Sequence, residues 1–180
     1  MPETIALTPT GDFADRDALP RTDIPKDQWS SCGRWGPCTL PYPQVVFPDG
    51  IDIIKWSQER VLEVAKKFIG VRYAHYHFPE MGGIDCSNFT ALVYNYAFGT
   101  RFTSNVERQA HEAGRRLDFS EALQPGDLIF TWSKDGARIS HVIMYISEDF
   151  IIDSTGPGVQ IRPFKGWYKN RYAWARRLIE

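Results

Sequence analysis

Residues 84–99, IDCSNFTALVYNYAFG, decide how the rest of the chain is read. Phe89, Leu92, Val93 and Tyr96 fall at helical spacing on one face, so the segment is expected to form an amphipathic α-helix with that face on a core. Cys86 then sits at or near the start of the helix. There the unpaired backbone N–H groups and the positive end of the helix dipole favour a thiolate, the form of cysteine that attacks carbonyl carbon. A lone cysteine among apolar residues is otherwise an inert small hydrophobe, so the assignment needs a partner.

The partner candidate lies in residues 137–147, ARISHVIMYIS. Apolar residues occupy both faces of this strand-like run, and His141 shares a face with Ile143 and Tyr145. Cysteine nucleophiles use a histidine within hydrogen-bond reach and a third polar group that fixes the ring. The following run DFIIDST, residues 149–155, supplies Asp153. A hairpin turning at Ser147 and Glu148 would put Asp153 beside His141 on the same sheet face. The plainer alternatives are a satisfied core histidine and an aspartate that only begins the turn before Gly156.

Five segments then occur in an order that resembles the NlpC-type bacterial cell-wall cysteine peptidases, a papain-like group acting on peptidoglycan stem peptides. They are GVRYAHYHFPEMGGIDCSNF from Gly70, FTSNVERQAHEAG from Phe102, PGDLIF from Pro125, SHVIMYI from Ser140 and IIDS from Ile151. The resemblance runs from Gly70 to Ile161. It implies that Cys86 is the nucleophile, His141 its base and Asp153 the orienting residue. It also implies that the Tyr73 hydroxyl helps the Cys86 N–H hold the oxyanion, and that Asp85 and Ser87 contact the free amino end of a released peptide. Three positions depart from the family pattern. Asn88 stands where glycine is usual and is expected to narrow the cleft or add a polar contact. Ile143 replaces another glycine and is expected to alter packing rather than chemistry. Asp153 stands where histidine, asparagine or glutamine is more common.

His75, His77, Cys86 and His141 are residue types that bind zinc, but the cysteine would be consumed as a ligand and no second pair has zinc-like spacing. No metal and no cofactor is expected; His75 and His77 are expected to line the cleft and contact substrate, or to be exposed. A net charge of −1 leaves no basic footprint for nucleic acid, and no apolar run is long enough to span a bilayer. The expected partners are peptidoglycan-derived peptides, with any protein inhibitor left open. The N-terminus lacks the basic start and apolar stretch of a signal peptide. A periplasmic, extracellular or wall-associated location therefore stands beside a cytoplasmic recycling role.

The chain, 180 residues with 43% hydrophobic content, suits one domain with a decorated end. Residues 1–50 hold eight of the twelve prolines and read as an extended arm. Its Trp29, Trp35, Tyr42 and Phe47 are apolar enough to dock, and the arm is expected to cap the cleft so that only peptides with a free amino terminus bind. Cys32 and Cys38 can close a disulfide in an oxidising compartment, or remain thiols. Residues 51–180 read as the catalytic domain: a helix ending near Gly70, the Cys86 helix, a short helix begun by a Ser104–Glu107 capping box, then strands near 127–132, 138–146, 149–154, 158–162 and 171–178. Helices before strands give an α+β fold, with N-terminal helices packed on a central antiparallel sheet of about five strands. The expected activity is cleavage by a thiol endopeptidase of a stem peptide, at the bond between D-glutamate and a diamino acid. Acyl transfer on the same fold and a non-catalytic wall-binding module are the alternatives.

Overall fold

The computed structural model describes residues 48–75, 83–98, 100 and 102–180. Residues 1–47 of the expected arm, with Cys32 and Cys38, and also His77, lie outside them.

Helix α1 spans Ile53–Lys67, started by Asp52, whose carboxylate accepts the N–H groups of Ile54 and Lys55. Val61, Val64, Ala65 and Phe68 recur every three or four residues and are fully buried. Lys66 and Lys67 close its last turn, where positive charge suits the helix dipole. Helix α2 spans Cys86–Phe98, and every residue from Cys86 to Ala97 is buried. The expected amphipathic helix is thus a central one, because its sequence carries no charged side chain and hence no face that must reach water. Arg60 of α1 closes its far end by donating to the carbonyls of Ala97 and Tyr96, acceptors that a helix C-terminus leaves unpaired.

Helix α3 spans Val106–Glu112. It is capped by Asn105 rather than Ser104: the Asn105 side chain accepts from Arg108 N at 3.0 Å, and its own N–H is held by Thr103 Oγ1 at 3.1 Å. Asparagine caps as well as serine, and Glu107 turns to His111 instead of closing the box.

The sheet has six strands: β1 (Arg115–Arg116), β2 (Leu128–Trp132), β3 (Ile139–Tyr145), β4 (Phe150–Thr155), β5 (Gly158–Pro163) and β6 (Tyr172–Arg177). Their order is β1-β6-β2-β3-β4-β5, with antiparallel neighbours throughout. Strand β1, too short to leave a sequence pattern, is the addition to the expected five. A one-turn helix, α4 (Trp167–Asn170), precedes β6. Leu128, Phe130, Val142, Met144, Ile152 and Trp174 join the helices in one core. Ile129, Ile143, Ile151, Ala175 and Phe164 form a second core on the other face, which is why the strands read as apolar on both sides. Ile143 is therefore a packing residue.

The two layers are pinned at the start of α2. Ser154 Oγ on β4 donates to the Ile84 carbonyl at 2.7 Å. The fully buried Gln109 of α3 donates to the carbonyls of Ser87 and Thr103 at 2.8 and 2.6 Å, and accepts from Thr90 at 2.8 Å. The Pro125–Asp127 turn locks the opposite region. Tyr94 of α2 donates to the Gly126 carbonyl at 2.6 Å, and Arg177 grips both Asp127 carboxylate oxygens.

Candidate active site

Cys86 occupies the first position of α2 and is 9% exposed, on the wall of a cleft of about 620 Å³. Asp85 immediately before it is the cap: its Oδ1 accepts the Asn88 N–H at 2.9 Å and Asn88 Nδ2 at 2.8 Å. The polar contact expected of Asn88 is therefore made to Asp85, while both residues still line the cleft. Ser87 lines it as well.

Tyr73 and His75 come to the cleft on a strap, residues 70–75, held from both sides. Ile84 N–H donates to the Arg72 carbonyl at 2.8 Å, and Val159 N–H to the Val71 carbonyl at 2.9 Å. Approach is so close that a Cβ on Gly83 would lie 2.5 Å from the Ala74 Cβ, and one on Gly158 2.5 Å from the Val71 carbonyl oxygen. Tyr73 OH and His75 Nδ1 are 3.4 Å apart at the rim.

His141 is 8% exposed on β3, with Asp153, fully buried, on β4. The β3–β4 ladder pairs Met144 with Ile152 and Tyr145 with Ile151; beyond it Asp153 pairs with Gln160 of β5. His141 and Asp153 thus meet through side chains, His141 Nε2 lying 2.8 Å from Asp153 Oδ2. That bond leaves Nδ1 as the ring nitrogen not engaged by Asp153, and Cys86 lies near enough to act on the imidazole. Burial alone would lower the imidazolium pKa, but the negative charge of Cys86 and the bond to Asp153 outweigh it and raise the value to about 10. The ring therefore holds its proton at neutral pH.

Around this pair stand residues that the sequence reading did not single out. Tyr168 OH donates to Asp153 Oδ2 at 3.0 Å, and Arg162 Nε donates to Asp153 Oδ1 at 2.7 Å. Trp167 meets the His141 ring edge-on, centroids 5.7 Å apart, and Tyr168 lies 6.5 Å from it. Burial, the Asp153 charge and the hydrogen bond to Asp153 push the Tyr168 hydroxyl well above its ordinary pKa, so it stays a neutral donor. Arg138, Ile139 and Ser140 line the cleft together with Ser104–Glu107. Among the described residues no cluster of three or more histidine, cysteine, aspartate or glutamate side chains is placed to hold a metal, and no helix is long and apolar enough to cross a membrane. A second, more apolar groove lies between α1 and the end of β6, lined by Ile53, Ile54, Phe98 and Phe102, with neither cysteine nor histidine among its described lining.

A cysteine at a helix tip, opposed to a histidine and an acid on an antiparallel sheet, is the arrangement of papain-like domains. The chain belongs to the NlpC/P60 family, whose model matches residues 70–177. It is 33% identical over 98 residues to a probable endopeptidase of Haemophilus influenzae, a match covering 54% of this chain and 60% of that relative. In three dimensions it is similar to an NlpC/P60 family protein from Bacillus cereus, with a TM-score of 0.62 and 29% identity over 77% of this chain and 43% of that one. The NlpC/p60 domain of peptidoglycan hydrolase SagA shares the fold, with a TM-score of 0.55 and 24% identity over 67% of this chain and 97% of that domain. The chain thus spans 60% or less of the length of the first two relatives.

Proposed function

We propose that this protein is a cysteine endopeptidase that hydrolyses peptidoglycan stem peptides, at the bond between D-glutamate and a diamino acid. What supports this reading is Cys86 at a helix tip on the wall of the cleft, with the hydrogen-bonded His141–Asp153 pair near it. In the first step Cys86 Sγ attacks the scissile carbonyl and a thioester forms as the carbon–nitrogen bond breaks. His141, protonated beforehand, gives its proton to the departing amine. Asp153 holds the ring by Nε2, so that Nδ1 faces the sulfur. Water then attacks the thioester, His141 accepts its proton, and the carboxylic acid leaves as the Cys86–His141 pair is restored.

The Cys86 N–H, an unpaired first-turn donor, and the Tyr73 hydroxyl are the groups proposed to hold the oxyanion. Asp85 and Ser87 on the cleft wall suit a peptide with a free amino end, and the exposed His75 adds a contact at the rim. His77 is proposed to contact substrate from the same segment of sequence. The substrate places the enzyme at the wall or wherever wall peptides are released.

The test is mass spectrometry of products from an L-alanyl-γ-D-glutamyl-diamino acid tripeptide and from intact sacculi. Wild-type protein is expected to split the tripeptide, and Cys86→Ala to lose at least about 10³-fold in rate while keeping its circular dichroism spectrum. Undiminished cleavage by Cys86→Ala overturns the reading.

A further inference from the structure

The fully buried Asp153 keeps its two oxygens for different partners. Oδ2 receives His141 and Tyr168, and Oδ1 receives Arg162. Arg162 is itself fixed, donating to the Gly158 carbonyl at 2.7 Å and to Gln160 Oε1 at 3.2 Å. Gln160 is the direct cross-strand neighbour of Asp153, so Arg162, two residues further along β5, sits diagonally opposite on the same face. A buried carboxylate without a counter-ion tends to take up a proton. Here the counter-ion sits on the oxygen turned away from the imidazole.

Taking Cys86 and His141 as nucleophile and base, as proposed above, we propose that Arg162 is a positioning residue that neutralises Asp153, so that His141 meets an oriented acceptor carrying no net charge, and thereby sets the pH range in which Cys86 is reactive. The ionisable groups of the cluster are Cys86 from α2, His141 from β3, Asp153 from β4, Arg162 from β5 and Tyr168 from α4, and those lining the cleft around Cys86 are Asp85, Tyr73, His75, Glu107 and Arg138, which every variant below leaves in place. With thiolate, imidazolium, carboxylate and guanidinium present, the charges cancel. Removing the guanidinium leaves a negative charge that opposes a second one on sulfur. Neutralising Asp153 while keeping Arg162 does the reverse.

The experiment is the rate of iodoacetamide alkylation of the full chain as a function of pH, read by mass spectrometry on the peptide carrying Cys86. Arg162→Gln is expected to move the acid-side midpoint up by about one pH unit, and Asp153→Asn to move it down by a comparable amount. The double variant, in which the glutamine oxygen can accept from the asparagine amide, should return near the wild-type midpoint. Arg162→Lys, which keeps the charge, should also stay near it; these last two variants carry the test if Arg162→Gln fails to fold. A wild-type midpoint in Arg162→Gln, or a rate lowered equally at every pH, assigns Arg162 to packing alone and overturns the proposal. Wild-type protein that reacts no faster than an unactivated thiol overturns the nucleophile reading beneath it.

Discussion

Two buried carboxylates, Asp127 and Asp153, are each held by an arginine, and the two bonds differ in how the oxygens are shared. At Asp127 the Arg177 guanidinium closes a fork, Nε to Oδ1 at 2.9 Å and a terminal nitrogen to Oδ2 at 2.7 Å, while the Gln124 N–H takes more of Oδ2 at 2.8 Å. At Asp153 the arginine takes one oxygen, and the other is left for an imidazole beside a thiol. The first pair is closed on itself and ties the β2 turn to β6. The second passes its charge state on to a titrating group. The same ion pair is thus scaffold or electrostatic control according to where the second oxygen points.

The largest expected contrast comes from removing each acid. Asp153→Ala should lower kcat/KM on the tripeptide by about 10³-fold or more, because the imidazole loses its orientation. Asp127→Ala should keep kcat/KM per folded molecule but lose about 3–5 kcal/mol in urea unfolding, since it leaves the buried Arg177 uncompensated. Equal activity losses in the two variants would erase the distinction.

A smaller effect is expected in the titration of His141. In the proposed reaction its raised pKa means that the proton for the leaving amine is present at neutral pH and is lost as pH rises through about 10. Asp153→Asn removes a charge that raises this value and turns one of the two acceptor oxygens into a donor, so the midpoint followed by imidazole NMR should fall by about one unit. Asp127→Asn should leave it in place. The least effect belongs to Tyr168→Phe, which deletes one hydrogen bond to Asp153 Oδ2 and should cost about fivefold in kcat/KM, near 1 kcal/mol, with little change in thermal stability. A loss as large as that of Asp153→Ala would make Tyr168 an equal partner rather than a support.

Much of this geometry is legible in the residues themselves. Helical spacing marks α2 and places Cys86 at its tip, and strand patterning marks β2 to β6. The position of Arg162 was also open to reading. Gly156 and Pro157 make a two-residue turn between Thr155 and Gly158, and counting back along that hairpin pairs Asp153 with Gln160 and sets Arg162 diagonally beyond. What local pattern does not carry is contact between distant segments. Gln109 reads as an ordinary polar residue on a short helix, and only the packing of α3 on α2 buries it against the Ser87 carbonyl. The one-turn α4 leaves no periodicity, so the Trp167 and Tyr168 rings beside His141 emerge from the fold alone. The central place of α2 is not legible in its residues, because its tyrosines and asparagines resemble a polar face until their partners are known.

Helix α2 is fastened at both ends by different parts of the molecule, the sheet and α3 at Ile84–Ser87 and Arg60 of α1 at Tyr96–Ala97. A rod gripped in this way cannot fray or slip without breaking both layers at once. The sulfur's bearing is then expected to hold until the packed layers themselves give way, so that warming should disturb its placement together with the core rather than ahead of it.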